Sequence, residues 1–141
     1  MRVLVDTTIW SLALRRRPAG RNPDETRLVE AWEELIADGR VVFLGLIRQE
    51  ILSGIANEIQ FERLRDALAA FPDEVILTAD HVRAAGQFNR CRTAGVTGSP
   101  VDFLICAVSE RLAVPIFTTD RDFERFARHL PIRLFDPASA R

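Results

Sequence analysis

Lysine is absent from this chain of 141 residues, and all 19 of its basic residues are arginine. A P-loop requires the pattern GxxxxGK[ST], and the phosphoacceptor site of a receiver domain is expected to use a lysine, so both classes are excluded. An all-arginine set of cations either reflects GC-rich coding or serves phosphate binding, for which the rigid guanidinium fork is suited. The formal net charge of -1 favours no particular partner by itself.

Cysteines and long apolar runs are also scarce. Cys91 and Cys106 lack the spacing of a metal site and are predicted to be free thiols in a reducing cytoplasm. No apolar stretch approaches the roughly 18 residues of a membrane span, and Asp6 interrupts the first apolar segment before a signal-peptide core forms. With 48% hydrophobic and 28% charged residues, the composition predicts one soluble globular domain over residues 1–141.

Short apolar runs alternate with helical patterns along the chain, which predicts an α/β domain with a mainly parallel sheet and helices on both faces. Strands are expected at residues 3–5, 41–44, 75–77, 115–117 and 132–135. Helices are expected at 7–14, from an N-cap at Asp24 to Ala37, and at 46–55, 58–71, 80–93, 100–112 and 122–129. Residues 15–23 are predicted to form a loop.

Four acidic residues stand at the end of an apolar run or inside one: Asp6, Glu50, Asp102 and Asp120. An ionised carboxylate is costly there unless it is paired, hydrogen-bonded or bound to a metal. Asp6 and Asp120 follow predicted strands, Asp102 lies in the first turn of a predicted helix, and Glu50 lies in the second turn of another. Because ligands of open parallel sheets bind at the carboxyl ends of the strands, we expect the four acids to meet at one edge of the sheet.

A cluster of carboxylates needs a cation, because two of them about 4 Å apart repel by ~4 kcal/mol at an effective dielectric constant of 20. Oxygen ligands select Mg²⁺ or Mn²⁺ over zinc, and the sequence offers no competing set of cysteines and histidines. Such a site suits phosphodiester hydrolysis, since the metal lowers the pKa of a bound water. The four acids are therefore the candidate catalytic and metal-binding residues.

Each acid also has a structural interpretation. Asp6 stands where it can cap the helix that follows it, and Asp102 forms a capping box with Ser99 if its carboxylate bonds back to the backbone. Glu50 has an arginine, Arg48, within reach for an ion pair.

Further polar residues flank the acids in the sequence. Asp120 and Asp122 can both cap the helix predicted after them, and we expect Asp122 to be structural. Thr7 and Thr118 flank Asp6 and Asp120, as do Thr8 and Thr119, and these hydroxyls can orient carboxylates or waters or cap helices.

Four segments, VDTTIW at 5–10, QEILSG at 49–54, PVDFLICA at 100–107 and TTDRDF at 118–123, resemble the PIN-domain ribonucleases, specifically the VapC-type toxins of bacterial toxin–antitoxin pairs. The resemblance runs over essentially the whole chain. It implies a three-layer α/β/α sandwich and an Mg²⁺- or Mn²⁺-dependent endoribonuclease of the cytoplasm. It also implies a homodimer, inhibited by a small VapB-type antitoxin whose C-terminal segment covers the active site.

Through this resemblance, Asp6 and Asp102 correspond to the principal metal ligands, and Glu50 and Asp120 to the remaining acids. Thr118 matches the family's hydroxyl two residues before the fourth acid.

The chain departs from the family pattern in two places. Cys106 stands where alanine is common, and residues 15–23 form a distinctive loop; neither touches the acids. Asp122 resembles an additional acid that some members carry.

Three rival functions are open at this point. A phosphatase with an aspartyl nucleophile wants a second acid two residues after Asp6, where Thr8 stands, and a lysine that the chain lacks. A non-catalytic PIN-like binding module would keep the fold without cleavage, although the four acids are intact. A PIN nuclease of RNA processing would act without an antitoxin.

Overall fold

Three short parallel strands form the sheet at the centre of the fold. The computed structural model describes residues 1–15 and 17–139. Strand β1 (Val3–Val5) lies between β2 (Val41–Val42) and β3 (Ile116–Phe117). Both pairings are parallel, and Leu134 adds one further parallel bridge to Ile116. All three residues of β1 are fully buried, as expected of a strand that is covered on both faces.

Seven α-helices surround the sheet within the described residues and complete a three-layer α/β/α sandwich, as predicted. They are α1 (Thr7–Leu14), α2 (Pro23–Ala37), α3 (Gly45–Leu52), α4 (Glu58–Leu68), α5 (Thr78–Thr93), α6 (Pro100–Leu112) and α7 (Asp122–Ala127). Two 3-10 turns, Pro18–Gly20 and Pro137–Ser139, lie in the connections. Helix α1 packs on α2 and α3, and α5 packs on α6. Within the described residues, no helix combines the length and the apolar character needed to cross a membrane.

The predicted strand at residues 75–77 is wrong. The segment forms no strand. Val75 and Leu77 are exposed, and of the three residues only Ile76 packs against the core. A short apolar triplet forms a strand only if a neighbouring strand supplies its hydrogen bonds, and here none does within the described chain. The predicted strand at 132–135 is likewise reduced to the single bridge at Leu134.

The start of α2 also differs from the prediction. Its N-cap is Asn22 and not Asp24, because Asn22 and Glu25 form a reciprocal capping box and Pro23 supplies a helical φ at the first position. Helices α3, α4 and α7 end two to three residues earlier than predicted. Cys91 and Cys106 are buried free thiols, which confirms their predicted state.

The register of the sheet brings the carboxyl ends of strands β1 and β3 side by side. Val5 pairs with Phe117, and the backbone N–H of Asp6 donates to the carbonyl of Phe117 over 2.9 Å. Helix α1 is fixed beyond β1 by the Trp10 indole N–H, which donates to the Val5 carbonyl over 3.1 Å. The residues that follow the two strands, Asp6 and Thr118, are therefore neighbours at the carboxyl edge of the sheet.

Candidate active site

Asp6 is the buried acid of this edge, with 6% of its surface exposed. It occupies the N-cap position of α1, but its side chain makes no capping hydrogen bond within the described chain. Its Oδ2 accepts hydrogen bonds from the hydroxyls of Thr118, over 2.7 Å, and of Thr8, over 3.2 Å. The carboxylate is thus held between the first turn of α1, through Thr8, and the residue that follows β3, Thr118.

The protons of both hydroxyls are directed at Asp6 by the backbone. Thr8 Oγ1 accepts the N–H of Thr119 over 3.1 Å, and Thr118 Oγ1 accepts the N–H of Asp120 over 3.0 Å. A threonine hydroxyl carries one proton, so an oxygen whose lone pair is occupied by an N–H presents its proton elsewhere. This arrangement favours the ionised carboxylate at Asp6.

Burial nevertheless raises the pKa of the Asp6 carboxyl above its usual value, and the hydrogen bond from Thr118 only partly opposes that shift. The negative charge of Asp102 raises the pKa of Asp6 further. A desolvated acid with a second acid beside it is the electrostatic pattern of a cation site or a catalytic dyad.

Asp102 is held by the start of α6. Its Oδ2 accepts the N–H of Ser99 over 3.0 Å, and its own N–H donates to Ser99 Oγ over 3.1 Å. The predicted capping box is therefore present, with Pro100 at the first position of the helix. The same carboxylate acts on Asp6, so capping and a place in the site occur together.

Glu50 and Asp120 are tied to the edge through other residues. Thr7 donates its hydroxyl to Glu50 Oε2 over 2.7 Å, and Glu50 is exposed. The ion pair considered between Glu50 and Arg48 is not formed, because Arg48 binds Asp73 over 2.8 Å instead.

Asp120 begins the turn into α7. Its Oδ1 accepts the N–H of Asp122 over 2.9 Å, while the N-cap position of the helix itself is Arg121. The side chain of Asp122 forms a 3.2 Å ion pair with Arg125 and lies half-buried in the first turn.

Threonines link these acids in one hydrogen-bonded edge. Thr118 connects Asp6 with the backbone of Asp120, and Thr7, the residue after Asp6, connects with Glu50. Within residues 1–15 and 17–139, however, no three histidine, cysteine or acidic side chains stand close enough to hold a metal ion together. The structure links Asp6 through Thr118 to the backbone of Asp120, and the charge of Asp102 acts on Asp6, while Glu50 is joined only to Thr7 within the described residues.

The donor set fits a hard divalent cation. All of its ligating atoms are carboxylate or hydroxyl oxygens, and Mg²⁺ characteristically takes one or two carboxylates and keeps several waters. Cys106 is fully buried beside this pair, and burial with the charge of Asp102 raises the pKa of its thiol. A protonated thiol is no ligand for such a cation.

Thr8 is the contributor that sequence analysis undervalued. It resembles the other flanking hydroxyls in the sequence, whereas in the structure it bonds to Asp6 and to the backbone of Thr119, and its Oγ1 lies 3.3 Å from that of Thr118. The only signal in the sequence was its position two residues after Asp6.

A model of the PIN domain matches residues 3–129. The chain therefore belongs to the PIN domain family, whose members are nucleases. Among solved structures, FitAcB from Neisseria gonorrhoeae is 20% identical with a TM-score of 0.69, over 97% of this chain and 99% of that chain. A toxin–antitoxin complex from Klebsiella pneumoniae is 20% identical with a TM-score of 0.65, over 86% and 89%.

A third similar structure is VapBC2 from Rickettsia felis bound to a DNA fragment from their promoter. It is 15% identical with a TM-score of 0.74, over 96% of this chain and 98% of that chain. At these identities the likeness establishes the fold, and it agrees with the family match.

Proposed function

We propose that the protein is a metal-dependent endoribonuclease of the VapC type, the toxin of a toxin–antitoxin pair. The observation that carries this proposal is the buried Asp6 carboxylate at the carboxyl edge of the sheet, which accepts hydrogen bonds from two hydroxyls and feels the charge of Asp102. Ionising a desolvated acid beside a second acid is unfavourable without a cation, so the pair is suited to bind one. Because the PIN domain family consists of nucleases, we assign that cation to the hydrolysis of phosphodiester bonds.

Asp6 and Asp102 would hold the Mg²⁺ or Mn²⁺, with Glu50 and Asp120 contributing directly or through water. When bound, the metal supplies a water of lowered pKa and stabilises the developing charge on the leaving oxygen. The protein's own part is orientation. Thr118 and Thr8 fix the Asp6 carboxylate, and the capping box fixes that of Asp102.

Glu50 is the acid with freedom to move. It is exposed and is held by one hydroxyl, that of Thr7, over 2.7 Å. A carboxylate of this kind can accept a proton from a water at the margin of the site, whereas Asp120 is held by the Asp122 N–H in the turn before α7.

The partners follow from the same assignment. The similar structures from Klebsiella pneumoniae and Rickettsia felis are, by their names, toxin–antitoxin assemblies. We propose that this chain forms a homodimer in the cytoplasm and that a VapB-type antitoxin inhibits it by bringing a basic side chain to the acids. A cationic side chain there would occupy the place of the metal.

A second candidate is a PIN-fold module that binds RNA without cutting it. One observation favours it: within the described part of the chain, no three potential ligands are gathered around a common point. The two candidates differ in whether added metal produces cleavage.

The test is cleavage of a structured, end-labelled RNA by the antitoxin-free protein with Mg²⁺, with Mn²⁺ or with EDTA. We expect cleavage with metal, none in EDTA, and none by Asp102→Asn, whose amide oxygen can still accept the Ser99 N–H while its charge is gone. Asp66→Asn, an exposed aspartate of α4, is the matched control and should cleave like the wild type. Metal binding without cleavage in any condition would favour the binding module, and no metal binding would refute the site.

A further inference from the structure

One polar stripe of α1 leads away from the candidate active site. Thr8, Ser11 and Arg15 recur at intervals of three and four residues, so they lie on the same face of the helix. The buried residues Ile9 and Trp10 face away from this stripe, whereas Leu12, four residues after Thr8, borders it and lines a cavity beside it. The stripe begins beside Asp6 and ends at Arg15, the C-cap residue of the helix.

Two cavities border this stripe. The larger, of about 830 Å³, is lined by Thr8 and Thr119 from the candidate active site and by Arg15 and Arg17. The smaller, of about 450 Å³, is lined by Thr7, Glu50 and again Arg15. Ser11 and Arg15 line both. Arg15 therefore lines both the cavity that reaches Thr8 and Thr119 and the cavity that reaches Glu50.

The guanidinium of Arg15 has no hydrogen-bond or ion-pair partner within residues 1–15 and 17–139, and the residue is exposed. Other arginines of the fold are engaged: Arg48 binds Asp73 and two backbone carbonyls, and Arg111 binds Asp80. All the N–H donors of such an exposed guanidinium remain available to bind an anion.

We infer that the two cavities along α1 form the path of the RNA backbone and that Arg15 and Arg17 bind its phosphates. This inference rests on the proposed nuclease function. Nine residues at a helical rise of about 1.5 Å place the Cα of Arg15 ~13 Å from that of Asp6, a few nucleotides at roughly 3.4 Å per stacked base. A strand with its reacting phosphate at the acids thus has another phosphate at Arg15.

The electrostatics requires such cations. A polyanion that approaches Asp6, Asp102 and Glu50 is repelled by them, and a bound metal offsets that repulsion only locally. The planar fork of arginine binds phosphate oxygens bidentately. Contacts of this kind fix the position of the strand and carry no sequence information, so base selection must come from other residues.

The test measures binding separately from cleavage. Affinity of a fluorescein-labelled single-stranded RNA is measured by anisotropy in EDTA from about 50 to about 200 mM salt, for the wild type, Arg15→Ala, Arg17→Ala and Arg15→Lys. Each lost phosphate contact should reduce the slope of log K against log salt by about 0.7. Over that fourfold range the wild type should then lose about 2.6-fold more affinity than each alanine variant.

Matched controls separate a local contact from a change in net charge. Arg133→Ala removes the same charge at the opposite edge of the sheet, where Arg133 donates to the Ala113 carbonyl ahead of β3, and should keep the wild-type slope. Arg15→Lys should keep the slope but bind more weakly, because an ammonium lacks the fork. All variants should unfold thermally like the wild type, since Arg15 and Arg17 are exposed.

Each outcome bears on one proposal. Equal slopes for Arg15→Ala and the wild type, or a wild type that binds no RNA, would overturn the backbone path. Metal-dependent cleavage by the wild type together with equal slopes would keep the nuclease and reject the path. A reduced slope for Arg15→Ala without cleavage by any variant would keep the path and reject the nuclease.

Discussion

Replacing Thr118 by valine removes one hydroxyl from the candidate active site while preserving shape. That hydroxyl donates to Asp6 Oδ2 over 2.7 Å and accepts the N–H of Asp120 over 3.0 Å. A hydrogen bond to a charged group contributes about 1.5–3 kcal/mol, and a neutral one about 0.5–1.5 kcal/mol. The free energy of unfolding should therefore fall by about 2–4 kcal/mol in metal-free buffer at pH 8.

The loss should depend on pH in a defined direction. Burial raises the pKa of Asp6 above its usual value, and the bond from Thr118 lowers it, so Thr118→Val should raise the pKa further. The charge-assisted part of the bond exists only while Asp6 is ionised. The stability difference between wild type and variant is therefore complete above the folded-state pKa of Asp6 in the variant, which is the higher of the two. It shrinks as the pH falls from there toward the pKa of Asp6 in the wild type.

The same substitution should weaken metal binding. Residues that orient a ligand typically account for 10–100-fold in metal affinity or activity, so Mn²⁺ affinity should fall by about that factor in Thr118→Val. Unfolding in urea across pH and Mn²⁺ titration measure the two effects. Thr93→Val is the control, because it removes a hydroxyl at the end of α5 whose one partner among the described residues is the Asn89 carbonyl. A stability loss that is constant with pH, together with unchanged Mn²⁺ affinity, would refute the assigned role.

Two further predictions concern neighbours of this bond. Asp6→Asn should raise the free energy of unfolding without metal at pH 8. Burial raises the pKa of Asp6 in the folded state, so the protein loses stability as the pH rises through that pKa and Asp6 ionises. The neutral asparagine avoids this loss. Urea unfolding measures it, and Mn²⁺ should stabilise only the wild type. Gly98→Ala should cost about 1–3 kcal/mol by the same assay and reduce cleavage, because its Cβ would lie 2.5 Å from the Phe126 ring just before the Asp102 capping box.

Local signals in the sequence were sufficient for several elements. Helix α6 begins and ends as predicted, at Pro100 and Leu112, because Ser99 and Asp102 mark its start and an apolar run fills it. Helix α1 also matches, at residues 7–14. The strand predicted at 75–77 was wrong because a strand depends on a partner elsewhere in the chain, which three apolar residues do not reveal.

The candidate site was predictable in its location but not in its contacts. That residues after β1 and β3 share one edge follows from parallel topology, and Asp6 and Asp120 do so. The partner of Arg48 could not be foreseen, because Asp73 lies 25 residues away along the chain and is brought in by tertiary packing. Neither could the two backbone N–H groups that direct the protons of Thr8 and Thr118.

Asp6 and Asp102 are supported in different ways, and this difference assigns them different tasks. Asp102 sits in the first turn of a 13-residue helix, where the N-terminal dipole and the Ser99 N–H stabilise its negative charge without a metal. Asp6 is more deeply buried and depends on two hydroxyls that do not overcome its desolvation. A cation bound at Asp102 would lower the cost of ionising Asp6. Asp6 should therefore control how metal binding depends on pH, and Asp102 should control where the metal sits.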